Sequence, residues 1–256
     1  MSVESSAREK RSEGLMDAVK TIIQALILAM IVKIFFYQPF NIPSGSMKST
    51  LLVGDYLFVS KFSYGYSRYS FPFSPNLFSG RLLGSEPERG DVAVFRNLKD
   101  DNKDYIKRII GMPGDKVQVL SGIVYINGKE VPRKQAGKHL LIDDGPNGYF
   151  SERLVPRYKE TLPNGVSYYV LDVNSQSSLD NTAEYAVPEG HYFLMGDNRD
   201  QSQDSRVQNS VGMVAYDQLI GRADILFFSA DYTMRWYKPW TWFSGVRWSR
   251  LFDFIR

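Results

Sequence analysis

The first strong pattern along the chain is an apolar stretch close to its start. Residues 1–17 are polar, with several serines and mixed charges, and they predict a mobile tail. Residues 18–37 are mainly apolar, and Pro39 ends any helix there. Because a helix rises about 1.5 Å per residue, roughly 20 positions cross a hydrocarbon core of about 30 Å. The pattern predicts a transmembrane anchor, although Gln24 and Lys33 are costly in lipid and leave a buried amphipathic helix as the alternative.

The anchor is expected to be retained, with its N-terminal side in the cytoplasm. A cleaved secretory signal is disfavoured because the apolar stretch is long, starts late and has no small-x-small pattern before Pro39. The basic residues that precede the anchor or lie at its start are Arg8, Lys10, Arg11 and Lys20. Lys48 is the only basic residue in the first stretch after Tyr37, so the positive-inside rule places 38–256 outside the cytoplasm.

The remainder of the chain is dominated by short runs of β-branched and aromatic residues separated by turns. These runs include DYLFVSKFSY, GDVAVFRN, DYIKRIIGM, DKVQVL, GIVYING, VSYYVLD, HYFLMGD and DILFFS. They predict a mostly β, antiparallel domain over 38–256, in which INGK and LPNG form tight turns. Two polar or turn-rich stretches, near 62–88 and 133–188, are expected to be insertions.

The last segment, 235–256, combines aromatic and basic residues. It contains Trp236, Trp240, Trp242 and Trp248 together with Arg235, Lys238, Arg247, Arg250 and Arg256. Trp suits the headgroup layer of a membrane, and basic side chains add attraction to anionic lipid. We therefore expect contact with membrane lipid, and the alternative is that the aromatic rings close the end of the β core.

Composition narrows the chemistry that the domain can carry. The chain has no Cys, and His139 and His191 are its only imidazoles, which disfavours disulfides, thiol nucleophiles and the usual zinc sites. The formal net charge of +3 is small and dispersed, so nucleic acid is not an expected partner. No metal or other cofactor is predicted.

Three polar clusters remain once the strands are assigned. They are NIPSGSMKSTLLVGD (41–55), DYIKR (104–108) and GDNRDQSQDSR (196–206). Taken alone, each has a structural explanation: an ordinary turn, an edge strand with an exposed lysine, and a solvated loop of ion pairs. Their combination indicates chemistry, because a serine on a Gly-containing turn is a poor nucleophile without a base, and both histidines lie outside the clusters.

Lysine is the remaining candidate for the base, as in Ser/Lys variants of the serine nucleophile. A lysine acts as a base near neutral pH only if its pKa falls roughly three units below about 10.4, which requires burial. Strand alternation places Tyr105 and Lys107 on one face, and the neighbouring charge of Arg108 is expected to lower the pKa of Lys107 further. Asp200 or Asp204 is expected to compensate Arg108.

The clusters resemble those of the bacterial type I signal peptidases, or leader peptidases, which are membrane-bound serine proteases. The resemblance rests on the anchor and on PSGSMKSTLLVGD, RGDVAVF, DYIKRIIGMPGDKV and GDNRDQSQDSR in that order. It implies an antiparallel β catalytic domain of the signal-peptidase type behind one transmembrane helix. It also implies a single-pass protein of the bacterial inner (plasma) membrane that removes signal peptides from exported preproteins through an acyl-enzyme.

Individual roles follow by position from the same resemblance. Ser46 would be the nucleophile and Lys107 the general base, while the Ser44 hydroxyl and the Ser46 backbone N–H would form the oxyanion hole. The supporting residues would be Ser202, which hydrogen-bonds the lysine amine, and Asp204, which pairs with Arg206 and Arg108.

The resemblance also implies the substrate pockets. Small side chains one and three positions before the cut, an Ala-x-Ala type of site, would fit shallow pockets lined by Ile42, Pro43, Met47, Leu51, Tyr105 and Ile106. Ser49 stands where the family pattern has proline, Gln201 stands where it has asparagine, and VQNSVGMV follows Arg206 in place of a shorter connection.

Two other functions are compatible with these patterns. One is a self-cleaving, repressor-type protease that uses the same Ser/Lys pair; the anchor and the lack of a DNA-binding helix pair argue against it. The other is a membrane-tethered β domain that binds partners without catalysis.

Overall fold

The structure, a computed structural model, describes residues 2–76, 78–144, 150–174, 176–235 and 237–255. Helix α1 runs without interruption over Ser2–Phe35. The helix includes most of the tail, 1–17, whose mobility stays a prediction. This tail contains no proline, and its Glu, Lys, Arg and Ala residues favour helix.

The apolar part of α1 has the properties of a membrane anchor. The stretch Met16–Phe35 is long and apolar enough to cross a bilayer, and none of it is buried against the rest of the protein. A core helix would bury its apolar face, so the alternative of a buried amphipathic helix does not hold.

Antiparallel strands form the rest of the fold, which confirms the predicted mostly β class. The strands are β1 (Tyr37–Asn41), β2 (Asp55–Ser60), β3 (Val92–Asn97), β4 (Lys103–Gly111), β5 (Lys116–Leu120), β6 (Ile123–Ile126), β7 (Lys129–Glu130), β8 (Arg133–Asp144), β9 (Phe150–Thr161), β10 (Ser167–Leu171), β11 (Tyr185–Ala186), β12 (His191–Met195), β13 (Val214–Ala215) and β14 (Leu219–Ser229). They form three sheets with the orders β1-β2-β14-β3-β4-β12-β13, β10-β9-β8 and β11-β5-β6-β7. A one-turn helix, α2 (Trp242–Gly245), lies near the C-terminus.

Strand β1 connects the anchor directly to the main sheet. It pairs with β2 from Tyr37 opposite Ser60 to Asn41 opposite Tyr56. The sequence patterns did not predict this strand because it contains Pro39, which an edge strand tolerates since one row of its backbone groups faces away from the ladder.

The stretch 133–188 is more regular than its composition indicated. Strands β8 and β9 form a long hairpin, and LPNG makes the tight turn into β10, where the N–H of Gly165 donates to the carbonyl of Leu162. Leu141 and Val155 bury one face of this hairpin, whereas Leu140 and Leu154 on the other face are exposed. One-sided burial leaves half of the positions polar, which explains the polar composition of this stretch.

The other predicted insertion, 62–88, packs against the C-terminal end of α1. Tyr66 and Leu82 form an isolated bridge, and the Tyr66 hydroxyl donates to the carbonyl of Phe35 at 2.6 Å. The segment includes a 3-10 turn at Arg68–Ser70.

The C-terminal segment leaves its described tryptophans exposed. Trp240 is 74% exposed and Trp248 is 57% exposed, so these rings do not close the β core. Two of the basic side chains pair with a carboxylate inside the protein. Arg250 donates to the fully buried carboxylate of Asp55 at 2.6 Å, and Arg247 lies 3.7 Å from the same carboxylate. A buried carboxylate needs a counter-charge, which draws these arginines inward rather than toward lipid. Trp236 and Arg256 lie outside the described residues.

Candidate active site

The three polar clusters meet in one cleft of about 760 Å³. One wall is the chain that leaves β1, residues 40–46, and the other is the first half of β4, residues 104–107. Ile42, Pro43, Tyr105 and Ile106 line this cleft, in the positions that the sequence indicated for the substrate pockets.

Apolar side chains pack the turn that carries Ser46 against the hydrophobic core. Met47 and Leu51 are fully buried in the core cluster beside Leu57 and Val59. They are not among the residues that line the cleft, and their contact with substrate stays a prediction. The chain turns back after Ser46, which directs both side chains into the core and holds the serine, 8% exposed, at the cleft surface.

Lys107 lies against Ser46. Its Nζ is 2.7 Å from Ser46 Oγ and 2.9 Å from the carbonyl oxygen of Ile106, and the residue is 3% exposed. Burial lowers the pKa of Lys107 from 10.5 to about 8, although the negative charges of Asp204 and Asp197 act in the opposite direction. An amine with this pKa is neutral in an appreciable fraction of molecules near neutral pH.

Donors for an oxyanion lie beside the nucleophile. Ser44 Oγ is 3.4 Å from Ser46 Oγ, and both face the cleft. Within the described part of the chain, the backbone N–H of Ser46 donates to no other group. A hydroxyl and a backbone N–H are the donor types that stabilise a tetrahedral oxyanion.

Ser202 is near the pair but does not make the expected hydrogen bond. Its Oγ is buried and makes no hydrogen bond to Lys107, which donates to Ser46 and to its own strand. Gly196 packs closely against Ser202 and Ser46. A Cβ on Gly196 would be 2.2 Å from Ser202 Oγ and 2.6 Å from the carbonyl oxygen of Ser46. Gly196 is thus required for close packing.

The acid that compensates Arg108 is Asp197, and neither of the predicted acids does so. The fully buried Arg108 donates to both oxygens of Asp197, at 2.9 and 2.7 Å. The register explains the difference: Met195 on β12 lies opposite Arg108 on β4, so the acid that follows β12 directly is nearest. Asp200 instead accepts from the backbone N–H groups of Val173 and Asn174. With Arg108 neutralised, burial rather than its charge lowers the pKa of Lys107.

Asp204 forms a separate pair with Arg206. Two nitrogens of Arg206 donate to its carboxylate at 2.9 and 2.8 Å, and the N–H of Gly196 donates at 3.0 Å. Burial alone would raise the pKa of Asp204, but Arg206 and this N–H hold it below its usual value. Asp204 thus remains ionised and pairs with only one of the two arginines that the sequence indicated.

Several residues around the site were not predicted. Thr50 Oγ1 donates to Asp197 at 2.5 Å, and Glu160 forms a buried ion pair with Arg199. Glu160 comes from the hairpin of β8 and β9, so it ties the insertion to the loop of the third cluster. Nothing in the local sequence marks Glu160 as different from the other charged residues of that strand.

A cluster of three acidic residues also lies near the third polar cluster. The carboxylate oxygens of Asp172, Asp180 and Asp200 are within 4.8 Å of one another.

Comparison with known proteins identifies a family model and relatives that this chain resembles. The family model described as "Signal peptidase, peptidase S26" matches residues 15–228. Signal peptidase I of Rickettsia typhi is 41% identical over 249 residues, which is 89% of each chain. Signal peptidase I of Rickettsia canadensis is 41% identical over 255 residues, which is 91% of each chain. A solved signal peptidase I from Enterococcus faecalis V583 is 23% identical and covers 54% of this chain and 97% of its own, with a TM-score of 0.30.

Proposed function

The chain belongs to the signal peptidase family, peptidase S26, and from this membership we propose that Ser46 and Lys107 are its catalytic pair. As a member of this family it is a membrane endopeptidase that cleaves signal peptides. The observation that carries the assignment of residues is the 2.7 Å contact between Lys107 Nζ and Ser46 Oγ, in a site where burial lowers the pKa of the amine to about 8.

The reaction begins when neutral Lys107 accepts the proton of Ser46 Oγ. The oxygen attacks the carbonyl carbon of the scissile bond, and the negative charge on the carbonyl oxygen is met by the Ser44 hydroxyl and the Ser46 N–H. Protonated Lys107 then donates its proton to the leaving amine, which leaves an ester on Ser46. Lys107 next removes a proton from a water molecule, and the resulting attack releases the signal peptide and restores Ser46.

The substrate is proposed to bind in extended form along β4. β4 pairs with β12 only from Arg108 onward, so residues 103–107 have β3 on one side and an open edge toward the cleft. An extended peptide adds to such an edge by main-chain hydrogen bonds. Ile42, Pro43, Tyr105 and Ile106 then restrict the side chains before the cut to small ones, which fits an Ala-x-Ala site.

The anchor is proposed to place the cleft at the outer surface of the bacterial plasma membrane. Arg8, Lys10 and Arg11 favour a cytoplasmic N-terminus. Ser46 follows Tyr37 by only nine positions, which keeps the nucleophile near the level where a signal peptide leaves the bilayer. The exposed rings of Trp240 and Trp248 support lipid contact by the C-terminal segment.

Topology can be tested cleanly because the chain has no cysteine. Ser6→Cys and Ser79→Cys, each made alone, are treated with a membrane-impermeant thiol reagent on intact spheroplasts. Labelling of Ser79→Cys only is expected, and labelling of Ser6→Cys instead would reverse the proposed orientation.

The catalytic assignment is tested with Ser46→Ala and Lys107→Ala in the full chain. Both variants are expected to lose at least about a thousandfold in the kcat for preprotein cleavage, because nucleophile and base act as one unit. Retention of the circular dichroism spectrum excludes unfolding as the cause. Cleavage by either variant near the wild-type rate would overturn the assignment and would favour another site in the domain.

A further inference from the structure

Asn198 contacts the turn that carries Ser46 through two hydrogen bonds. Its backbone N–H donates to the carbonyl oxygen of Ser46 at 3.1 Å, and its side-chain Nδ2 donates to the carbonyl oxygen of Gly45 at 3.0 Å. Two consecutive carbonyl groups of the nucleophile turn are therefore held by one fully buried residue of the loop after β12.

The side chain of Asn198 does not cap the short helical turn that it precedes. The residue occupies the N-cap position of the 3-10 turn Arg199–Gln201, where an asparagine side chain ordinarily accepts from the turn backbone. No such capping hydrogen bond is present. The amide instead reaches a carbonyl that is 153 positions away in the sequence.

Gln201 fixes the orientation of that amide. Gln201 Oε1 accepts from Asn198 Nδ2 at 2.9 Å, so both amide hydrogens of Asn198 are directed at acceptors. Asn198 Oδ1 is buried without a hydrogen-bond partner among the described residues. A rotated amide would lose both donated bonds, which makes the observed orientation the favourable one.

The geometry of the peptide unit connects this contact to the reaction. The carbonyl of Gly45 and the N–H of Ser46 belong to one planar trans peptide, in which the two groups point in opposite directions. By holding the Gly45 carbonyl on one side, Asn198 turns the Ser46 N–H toward the other. That N–H is the backbone donor of the oxyanion hole in the mechanism above.

We propose that Asn198, held by Gln201, is a positioning residue that aims the Ser46 N–H at the oxyanion. The proposal rests on the proposed catalytic role of Ser46. It also gives a function to Gln201, one of the positions at which this chain departs from the family pattern. Asn198 touches neither the base nor the substrate pockets, so its effect is confined to the turnover step.

The test compares Asn198→Leu with the wild-type enzyme under single-turnover and steady-state conditions with a preprotein substrate. Leucine has nearly the same shape and donates no hydrogen bond. We expect kcat to fall 10- to 100-fold, KM to change less than twofold, and the pKa of the kcat/KM profile to stay where it is in the wild type. General damage to the fold would admit water to Lys107 and move that pKa upward, so an unchanged pKa with a lower kcat identifies a positioning role.

Gln201→Met and Gln208→Met form a matched pair in the same loop. Gln208 donates to the carbonyl of Ser205 and does not contact the nucleophile turn, so its variant is expected to keep the wild-type kcat. Gln201→Met is expected to lower kcat 3- to 10-fold. Adding it to Asn198→Leu should lower kcat no further, since both changes act on kcat through one amide. Gln201 also lines the cleft, so a change in KM would report that second position and not the positioning role.

The outcomes separate this inference from the catalytic assignment. If Ser46→Ala abolishes cleavage while Asn198→Leu keeps the wild-type kcat, the positioning role is overturned and the catalytic assignment stands. A shift of the pKa together with a loss of kcat would also overturn it, because it would indicate structural damage. If Ser46→Ala still cleaves, the catalytic assignment itself fails.

Discussion

Lys107 Nζ lies 2.7 Å from Ser46 Oγ, and the two side chains are 3% and 8% exposed. The contact joins β4 to the turn after β1, two parts of the chain that are 61 positions apart. Burial of the amine is what makes the contact chemically useful, because a fully hydrated lysine would keep its proton near neutral pH.

The first prediction concerns the pH dependence of cleavage. The pKa of Lys107 is lowered to about 8, and the neutral amine is the reactive form. The value of kcat/KM for a preprotein is therefore expected to fall about tenfold per pH unit below pH 8 and to level off above it. Measurement between pH 5 and 9 tests this, and a flat profile over that range would exclude Lys107 as the base.

Lys61 provides a matched control for that titration. It is also buried, and burial together with the charge of Lys33 lowers its pKa to about 8. Its amine donates to the carbonyl of Ser70 and does not contact Ser46. Lys61→Met should leave the pKa of the rate profile unchanged. A shifted profile would show that the pH dependence of the rate comes from Lys61 and not from Lys107.

The second prediction concerns stability. Because burial lowers the pKa of Lys107 from 10.5 to about 8, its charged form disfavours folding by up to about 3 kcal/mol below pH 8, and this cost disappears as the pH rises from 8 to 10.5. Lys107→Met removes the charge but also two hydrogen bonds worth about 1 kcal/mol each. The inactive variant is expected to be more stable by about 1 kcal/mol at pH 7.

Denaturant titration of the detergent-solubilised full chain measures this difference at pH 7 and again at pH 10. The advantage of the variant should shrink at the higher pH, where wild-type Lys107 is neutral in the folded state and most of the cost of burying its charge is gone. An advantage that grows with pH would contradict the assigned direction of the pKa shift.

The sequence predicted the candidate site best where reactive residue types lie within short motifs. Ser46, Ser44 and Lys107 lie in short motifs, and the family resemblance brought them to one cleft without knowledge of the sheet order. The partner of Arg108 was assigned incorrectly because 196–206 holds several acids within one loop, and only the register of β12 against β4 selects Asp197. Side-chain direction within a loop is set by tertiary packing, which local patterns do not record.

The same limit applies to Met47 and Leu51. Both are apolar residues next to the nucleophile, and the family resemblance placed them in the pockets that accept small side chains. In the structure both side chains lie in the core cluster, and their contact with substrate stays a prediction. Burial and pocket lining call for the same residue types, so composition alone does not distinguish them.

The third prediction concerns Ser49, which has a φ of 100°. The N–H of Thr50 donates to the carbonyl of Met47, so Ser49 is the third residue of a four-residue turn that requires positive φ at this position. Ser49→Gly is expected to stabilise the fold by about 1 kcal/mol. Ser49→Pro restores the residue of the family pattern, but proline is fixed near −65° and should destabilise it by about 3 kcal/mol or more. Thermal unfolding of the two variants tests this, and equal stability would show that the turn adopts another conformation.

The fourth prediction concerns the buried pair of Arg108 and Asp197, whose side chains are 0% and 1% exposed. Asp197→Ala leaves a buried guanidinium without its counter-charge, which costs about 3 to 5 kcal/mol of stability. Asp200→Asn in the same loop is the control, because Asp200 accepts only from backbone N–H groups and the asparagine carbonyl still accepts; its cost should stay below about 1 kcal/mol. The double variant Arg108→Met, Asp197→Leu removes both charges and should recover most of the loss. Chemical denaturation ranks the three variants, and a greater loss in Asp200→Asn than in Asp197→Ala would mean that Arg108 pairs with Asp200 in solution.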